Sequence, residues 1–223
     1  MNKLEIACFN LESALIAQEN GADRVELCVE MNLGGITPSF ELIKEARKQI
    51  SIDLFVMIRP RGGNFVYSEE EFELMKNQIS EIKKLNVNGF VFGILNSDNT
   101  VNKIQNKELV GLAKPFPCTF HRAFDEVVNP LGTLEELIEC RFQTILTSGN
   151  APNVNEGINQ LERLVQKSNN RINIMPGGSL RSSNLQEIKN KTKANFFHSS
   201  AITDATEIAN PIEIQKLKAI LNA

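Results

Sequence analysis

Apolar residues fall along this chain in two alternating rhythms. Short runs of continuous or every-other apolar positions, the pattern of strands, alternate with stretches in which apolar residues recur every three or four positions, the pattern of helices. Residues 4–8 form the first strand-like run, with Asn10 placed to cap the helix behind it and Gly21 to stop it. Residues 24–28 form the second, followed by a glycine-containing loop in which Thr37-Pro38 reads as N-cap and first-turn proline of a helix reaching about Gln49. Residues 54–58 are apolar throughout, as in a strand buried on both faces of a parallel sheet, and Ser68 with Glu71 forms a capping box for a helix towards Leu85. Further strands are expected at 89–94, 118–122, 144–147, 172–175 and 196–199, with helices near 130–139, 155–166 and 183–189 and a last one opening at Asn210-Pro211.

Some eight strand–helix units in 223 residues imply parallel strands joined by crossover helices. Eight such units close into a (β/α)8 TIM barrel, whereas a doubly wound sheet has fewer and often opens with a G-x-G-x-x-G turn, which this chain lacks. The expected organisation is one α/β domain over 1–223. With 42% hydrophobic and 23% charged residues the chain has material for one sizeable core.

A net charge of −3, with both signs mixed along the chain, points away from nucleic acid and from anionic membrane as partners. No run approaches the roughly 20 apolar residues of a membrane span, and the first residues show no export leader, so the expectation is a cytoplasmic protein. The four cysteines (Cys8, Cys28, Cys118 and Cys140) show no Cys-x-x-Cys spacing, which suits free thiols in a reducing compartment.

Barrels of this kind gather their chemistry at the C-terminal ends of the strands. There the chain turns from apolar to polar. Glu26 and Cys28 end the second strand, Arg59 and Arg61 the third, and His121, Arg122 and Asp125 the fifth. Thr147 and Ser148 end the sixth, Gly177 and Gly178 the seventh, and His198 and Ser199 the eighth. Period-two alternation puts Glu26 with Cys28, Arg59 with Arg61, and Thr119 with His121 and Asp125 on common faces. Imidazole and carboxylate side by side suit proton exchange, giving Glu26, His121 and Asp125 as candidate catalytic groups. Arg59 and Arg61 are candidate anion ligands, and the turns at Gly177, Gly178, Ser148, His198 and Ser199 are candidates for holding a phosphate. The plainer alternative is rim ion pairs and tight turns with no ligand. Cys8 and Cys28 end neighbouring strands: together they can be soft ligands for Cu(I), or simply inert core thiols. Cys118 and Cys140 do not look like ligands.

The motifs together resemble the CutC family. They are Gly21-Ala-Asp-Arg-Val-Glu-Leu-Cys28, Gly34-Gly-Ile-Thr-Pro-Ser39, Phe55-Val-Met-Ile-Arg-Pro-Arg-Gly-Gly63, Thr119-Phe-His-Arg-Ala-Phe-Asp125, Ile145-Leu-Thr-Ser-Gly149, Met175-Pro-Gly-Gly178 and Phe197-His-Ser-Ser-Ala201. That resemblance covers nearly the whole chain. It implies a cytoplasmic (β/α)8 barrel, often a homo-oligomer (dimer or tetramer), with a role in copper homeostasis and Cu(I) at Cys8 and Cys28. The chain departs from the pattern at Glu30, Leu33 and Ser179, where glycine, glutamate and glycine are expected. Two functional readings follow. One is a copper-homeostasis protein; the other is an enzyme acting on a small anionic or phosphorylated metabolite.

Overall fold

The computed structural model describes residues 2–223. Eight strands are present: β1 (Lys3–Cys8), β2 (Arg24–Leu27), β3 (Asp53–Met57), β4 (Gly89–Phe92), β5 (Cys118–Phe120), β6 (Thr144–Thr147), β7 (Asn173–Pro176) and β8 (Phe196–Ser199). Each is followed by one of the helices α1 (Leu11–Glu19), α2 (Phe40–Gln49), α3 (Glu69–Ile82), α4 (Lys103–Ala113), α5 (Pro130–Glu139), α6 (Ile158–Ser168), α7 (Ser182–Thr192) and α8 (Pro211–Asn222). Hydrogen-bonded neighbours run β7-β6-β5-β4-β3-β2-β1-β8, every pair parallel, so this is the expected (β/α)8 barrel. The ring has a seam: among the described residues no ladder joins β7 to β8, although the two strands pack side by side.

Alternation along the strands separates two interiors. Leu4, Ile6, Cys8, Val25, Leu27, Leu54 and Val56 face outward and merge with the helix residues Ile43, Met75, Ile79 and Leu109 into one large core. Each such aliphatic side chain, fully buried, contributes about 1.5–3 kcal/mol. The inward positions form two small apolar clusters instead, Cys28–Phe55–Met57–Val91 and Leu146–Met175–Phe196. Between those clusters Arg24 is sandwiched, 3.9 Å from the Phe55 ring centroid and 4.2 Å from that of Phe196. Phe55 lies over its register partner on β4 because residue 89 is glycine; a Cβ there would stand 2.4 Å from the ring.

Local signals mostly hold. Ser68 and Glu71 form the expected capping box, and Asn10 and Asn210 cap their helices. The start of α2 is corrected by two residues. Ser39, not Thr37, is its N-cap, because the Thr37 hydroxyl is engaged with the Arg59 backbone and Gln78. β5 ends at Phe120, and residues Arg122–Glu126 wind into a 3-10 turn capped by His121.

Candidate functional site

At the C-terminal ends of the strands the barrel opens on a cavity of about 600 Å3. Its lower wall is built from β1, β2 and β8, whose register sets Glu5 beside both Arg24 and His198, and Ala7 beside Glu26. The Glu5 carboxylate is fully buried, paired to Arg24 and bonded to His198 Nδ1 at 2.7 Å. Burial alone would push its pKa up, but Arg24 and His198 together outweigh that and hold it below the usual carboxylate range. His198 is pulled the other way. Burial disfavours its charge, yet the Glu5 hydrogen bond and the Glu26 and Glu5 charges raise its pKa above the ordinary imidazole value.

Glu26 differs from Glu5. Its Oε2 is buried without a hydrogen-bond partner among the described residues and stands 3.4 Å from His198 Nδ1. Burial, with the Glu5 charge adding to it, lifts its carboxyl from 4.5 to about 7, against the opposing pull of His198 and Arg24. The result is a carboxyl group that borders the cavity and changes charge near neutral pH.

The opposite wall carries Arg59, Phe65 and His121. Arg59 is 4% exposed and donates to Leu33 O (2.6 Å), Gly35 O (3.0 Å) and Gly63 O (2.8 Å), while its Nε has no partner. His121 Nδ1 accepts the Ala123 N–H at 3.3 Å, which assigns the ring proton to Nε2, and Nε2 is also buried without a partner. Burial and the nearby Arg59 charge lower the His121 pKa to about 3, so the ring is neutral. It fits because residue 93 is glycine: a Cβ there would meet Nδ1 at 2.9 Å. His121 is therefore a neutral hydrogen-bond donor, unlike Glu26 and His198, whose pKa values are both raised.

Further round the rim, Asp125 borders the cavity but is fully engaged. It accepts from the Thr147 hydroxyl (2.5 Å), from the Ser148 and Asn150 N–H groups (3.0 and 3.2 Å) and from Arg122 Nε (2.7 Å), so it organises the β5 and β6 loops. Gly178 and Ser199 line the cavity beside Arg181, which donates to Ser199 Oγ at 3.2 Å and to the backbone of Leu180 and Ile202. Gly177 and Ser148 support that wall from behind: a Cβ on Gly177 would strike Leu146, and Ser148 Oγ bonds to Ala151 O.

Three expectations change on the structure. Asp125 is not in strand phase with Thr119 and His121, because β5 ends at Phe120 and Arg122–Glu126 wind into a 3-10 turn. Arg61 does not share a face with Arg59, because β3 has ended at Met57 and strand alternation no longer applies. Arg61 instead pairs with Glu71 at 2.6 Å and packs over Tyr67. The two cysteines are adjacent, with Cys28 Sγ 3.6 Å from the Cys8 carbonyl oxygen, but their side chains leave the sheet on opposite faces. Cys8 faces outward into the helix-side core, whereas Cys28 faces inward and borders the cavity. Burial, with Glu26 nearby, raises both thiols well above their ordinary range. Thiols on opposite faces of the sheet do not fit a shared, near-linear dithiolate site for Cu(I).

Glu5 and Arg24, which set the charge on the floor, are site residues that the strand-end reading passed over. The available signal was a charged residue at an inward position, in phase with Ala7 and Glu26, inside otherwise apolar strands. Glu5, Glu26 and His198 bring ligand atoms within 4.8 Å of one another. Both Glu5 oxygens are already committed to Arg24 and His198, so the cluster is built as an ion-pair network and does not fit a cation cage.

Comparison with known proteins agrees with this architecture. A model of the CutC family matches residues 2–203. The human copper homeostasis protein cutC homolog is 41% identical over 198 residues, covering 89% of this chain and 72% of that protein. A family protein CutC from Proteus mirabilis is 42% identical over 210 residues, covering 94% and 83%. The solved structure of CutC from Streptococcus agalactiae superposes with a TM-score of 0.86 at 34% identity, covering 91% of this chain and all of that one. Phosphoribosylanthranilate isomerase from Thermotoga maritima, at 15% identity and a TM-score of 0.67 over the whole chain and 99% of its own, shares the barrel fold.

Proposed function

The chain belongs to the CutC family of copper homeostasis proteins, and from that premise we propose that its barrel mouth binds a small anionic metabolite and exchanges a proton with it through Glu26 and His198. The observation that carries this reading is Glu26 Oε2: buried, unpartnered, beside His198 and bordering the cavity. A carboxyl poised near pH 7 satisfies the matching that general acid–base catalysis needs. Arg59 and Arg181, neither paired to a carboxylate, supply positive charge for the anion.

Ligand linkage tests it. Phosphate, sulfate and a panel of small carboxylates are added to the wild type and to Glu26→Gln across neutral pH. The expected result is a rise in melting temperature whose pH dependence disappears in the variant. A panel that moves neither protein, or moves both identically at every pH, sinks the reading.

A second reading treats copper as cargo, and it rests on Cys28 bordering the cavity. Here Cu(I) binds at Cys28, and Cys8 serves only the core. An anaerobic Cu(I) titration against a competing chelator should then lose affinity in Cys28→Ser and keep it in Cys8→Ser. Equal loss in both single variants would restore the paired-cysteine site. A single domain over 1–223, cytoplasmic and homo-oligomeric as a dimer or tetramer, completes the proposal. Light scattering on the purified chain reads the subunit number.

A further inference from the structure

The cavity wall opposite the acid–base pair carries features that proton exchange leaves unused. β5 stands half-way round the ring from β1, and its end presents His121 towards the space that Glu26 and His198 border from the other side. Two donors there are buried and unpartnered, Arg59 Nε–H and His121 Nε2–H. They are held together by Phe65, whose ring centre lies 4.8 Å from the Arg59 guanidinium carbon and 4.8 Å from the His121 ring centre.

The charge on this wall is uncompensated. The hydrogen bonds of Arg59 go to backbone carbonyls, and no carboxylate lies within ion-pair distance of it among the described residues. A cation removed from water without a counter-ion loses solvation that neutral carbonyls only partly replace. Its three carbonyl partners also fix the plane of the guanidinium, so Nε–H keeps one direction. His121 is held through its Nδ1 edge, which accepts the Ala123 N–H and packs against Gly93. Two rigid donors and one net positive charge, with no carboxylate supplied by the protein, make a complementary seat for a planar anionic oxygen pair.

Resting on the reading that the mouth takes a small anionic ligand, we propose that Arg59 and His121 form its carboxylate seat, so that the ligand is a small organic acid whose carboxylate lies on this wall and whose remaining atoms face Glu26. The arrangement selects a carboxylate by shape as well as charge. Arg59 contributes the charge and His121 a neutral donor that cannot repel a second positive group on the ligand.

The test uses oxalate, a small rigid dicarboxylate, with protein carrying 15N-histidine. The chain has two histidines, so the two rings are readily told apart. The His121 ring should report the neutral Nε2–H form across neutral pH, and oxalate should shift that Nε2–H resonance. Calorimetry should show oxalate affinity at least tenfold weaker in Arg59→Gln and in His121→Phe. It should be kept within about twofold in His121→Gln, whose amide restores a donor, and in Arg61→Gln, which lies off the cavity. Oxalate that fails to bind, or that shifts His198 and leaves His121 unmoved, overturns the carboxylate seat. Unchanged affinity in Arg59→Gln and His121→Phe does the same. The acid–base reading is judged apart from this, by whether the pH dependence of anion binding is lost in Glu26→Gln.

Discussion

Replacing Glu26 by glutamine preserves the shape of the floor and removes its titratable proton, which isolates the energetic consequence of burying that carboxyl. Burial, with the Glu5 charge adding to it, raises the Glu26 pKa from 4.5 to about 7 against the opposing pull of His198 and Arg24, with the Cys28 and Cys8 thiols nearby. A raised acid pKa means that the folded protein holds the proton where the unfolded chain has released it. The associated stability is fully present below about pH 4.5 and is lost as pH rises through about 7. A shift of that size corresponds to about 3 kcal/mol, because each pKa unit is worth roughly 1.4 kcal/mol. Glu26→Gln should therefore match the wild type near pH 4.5 and exceed it by about 2–3 kcal/mol at pH 8. Urea denaturation at the two pH values measures the difference, and the titration of His198 followed by NMR should move to lower pH once the Glu26 charge is gone. A stability difference of the same size and sign at both pH values would refute the reasoning, since Glu26 would then not titrate in that interval.

Three further outcomes are expected. His121, held neutral with its pKa lowered to about 3, contributes stability that is complete above the unfolded value of 6.5 and is lost as pH falls towards 3, so His121→Gln should flatten the acid limb of the stability curve in denaturant melts. Cys8→Ser places a hydroxyl in the helix-side core and should cost about 1–3 kcal/mol, while Cys28→Ser, at the cavity edge, should cost less; parallel urea titrations separate them. Asp125→Asn removes the ion pair to Arg122 and weakens the acceptor shared by Thr147, Ser148 and Asn150, and should cost about 2 kcal/mol or more, with faster amide exchange in the β6 loop.

The barrel was legible from hydrophobic rhythm because every strand has one face in the helix-side core, and continuous apolar runs such as 54–58 arise only from burial on both faces. β6 and β8 have the boundaries read from sequence, since both are bracketed by polar or glycine turns. Loops were less readable. Thr37 looks like a helix cap locally, but its hydroxyl is committed to Arg59, a partner 22 residues away. At the site, Glu26, Arg59, His121 and His198 stand out because a charged group at a strand end is costly unless something uses it. Arg61 has the same appearance and diverges because its partner, Glu71, comes from the next helix. Face assignment separated Cys8 from Cys28: Cys8 belongs to the outward set and Cys28, one position beyond the Cys8–Leu27 pair in register, to the inward set. Glu5 was legible by the same alternation, but its meaning depends on Arg24 and His198 from two other strands.

The Arg24 layer has a consequence for traffic. With Arg24 stacked between Phe55 and Phe196 and locked to Glu5, the bore is stoppered beneath the cavity. Whatever enters must leave by the same doorway. A molecule lodged there blocks its successor, so release of one occupant and capture of the next are sequential. Any protein receiving cargo from this cavity has to dock over the strand-end rim, and while docked it closes the doorway to everything else.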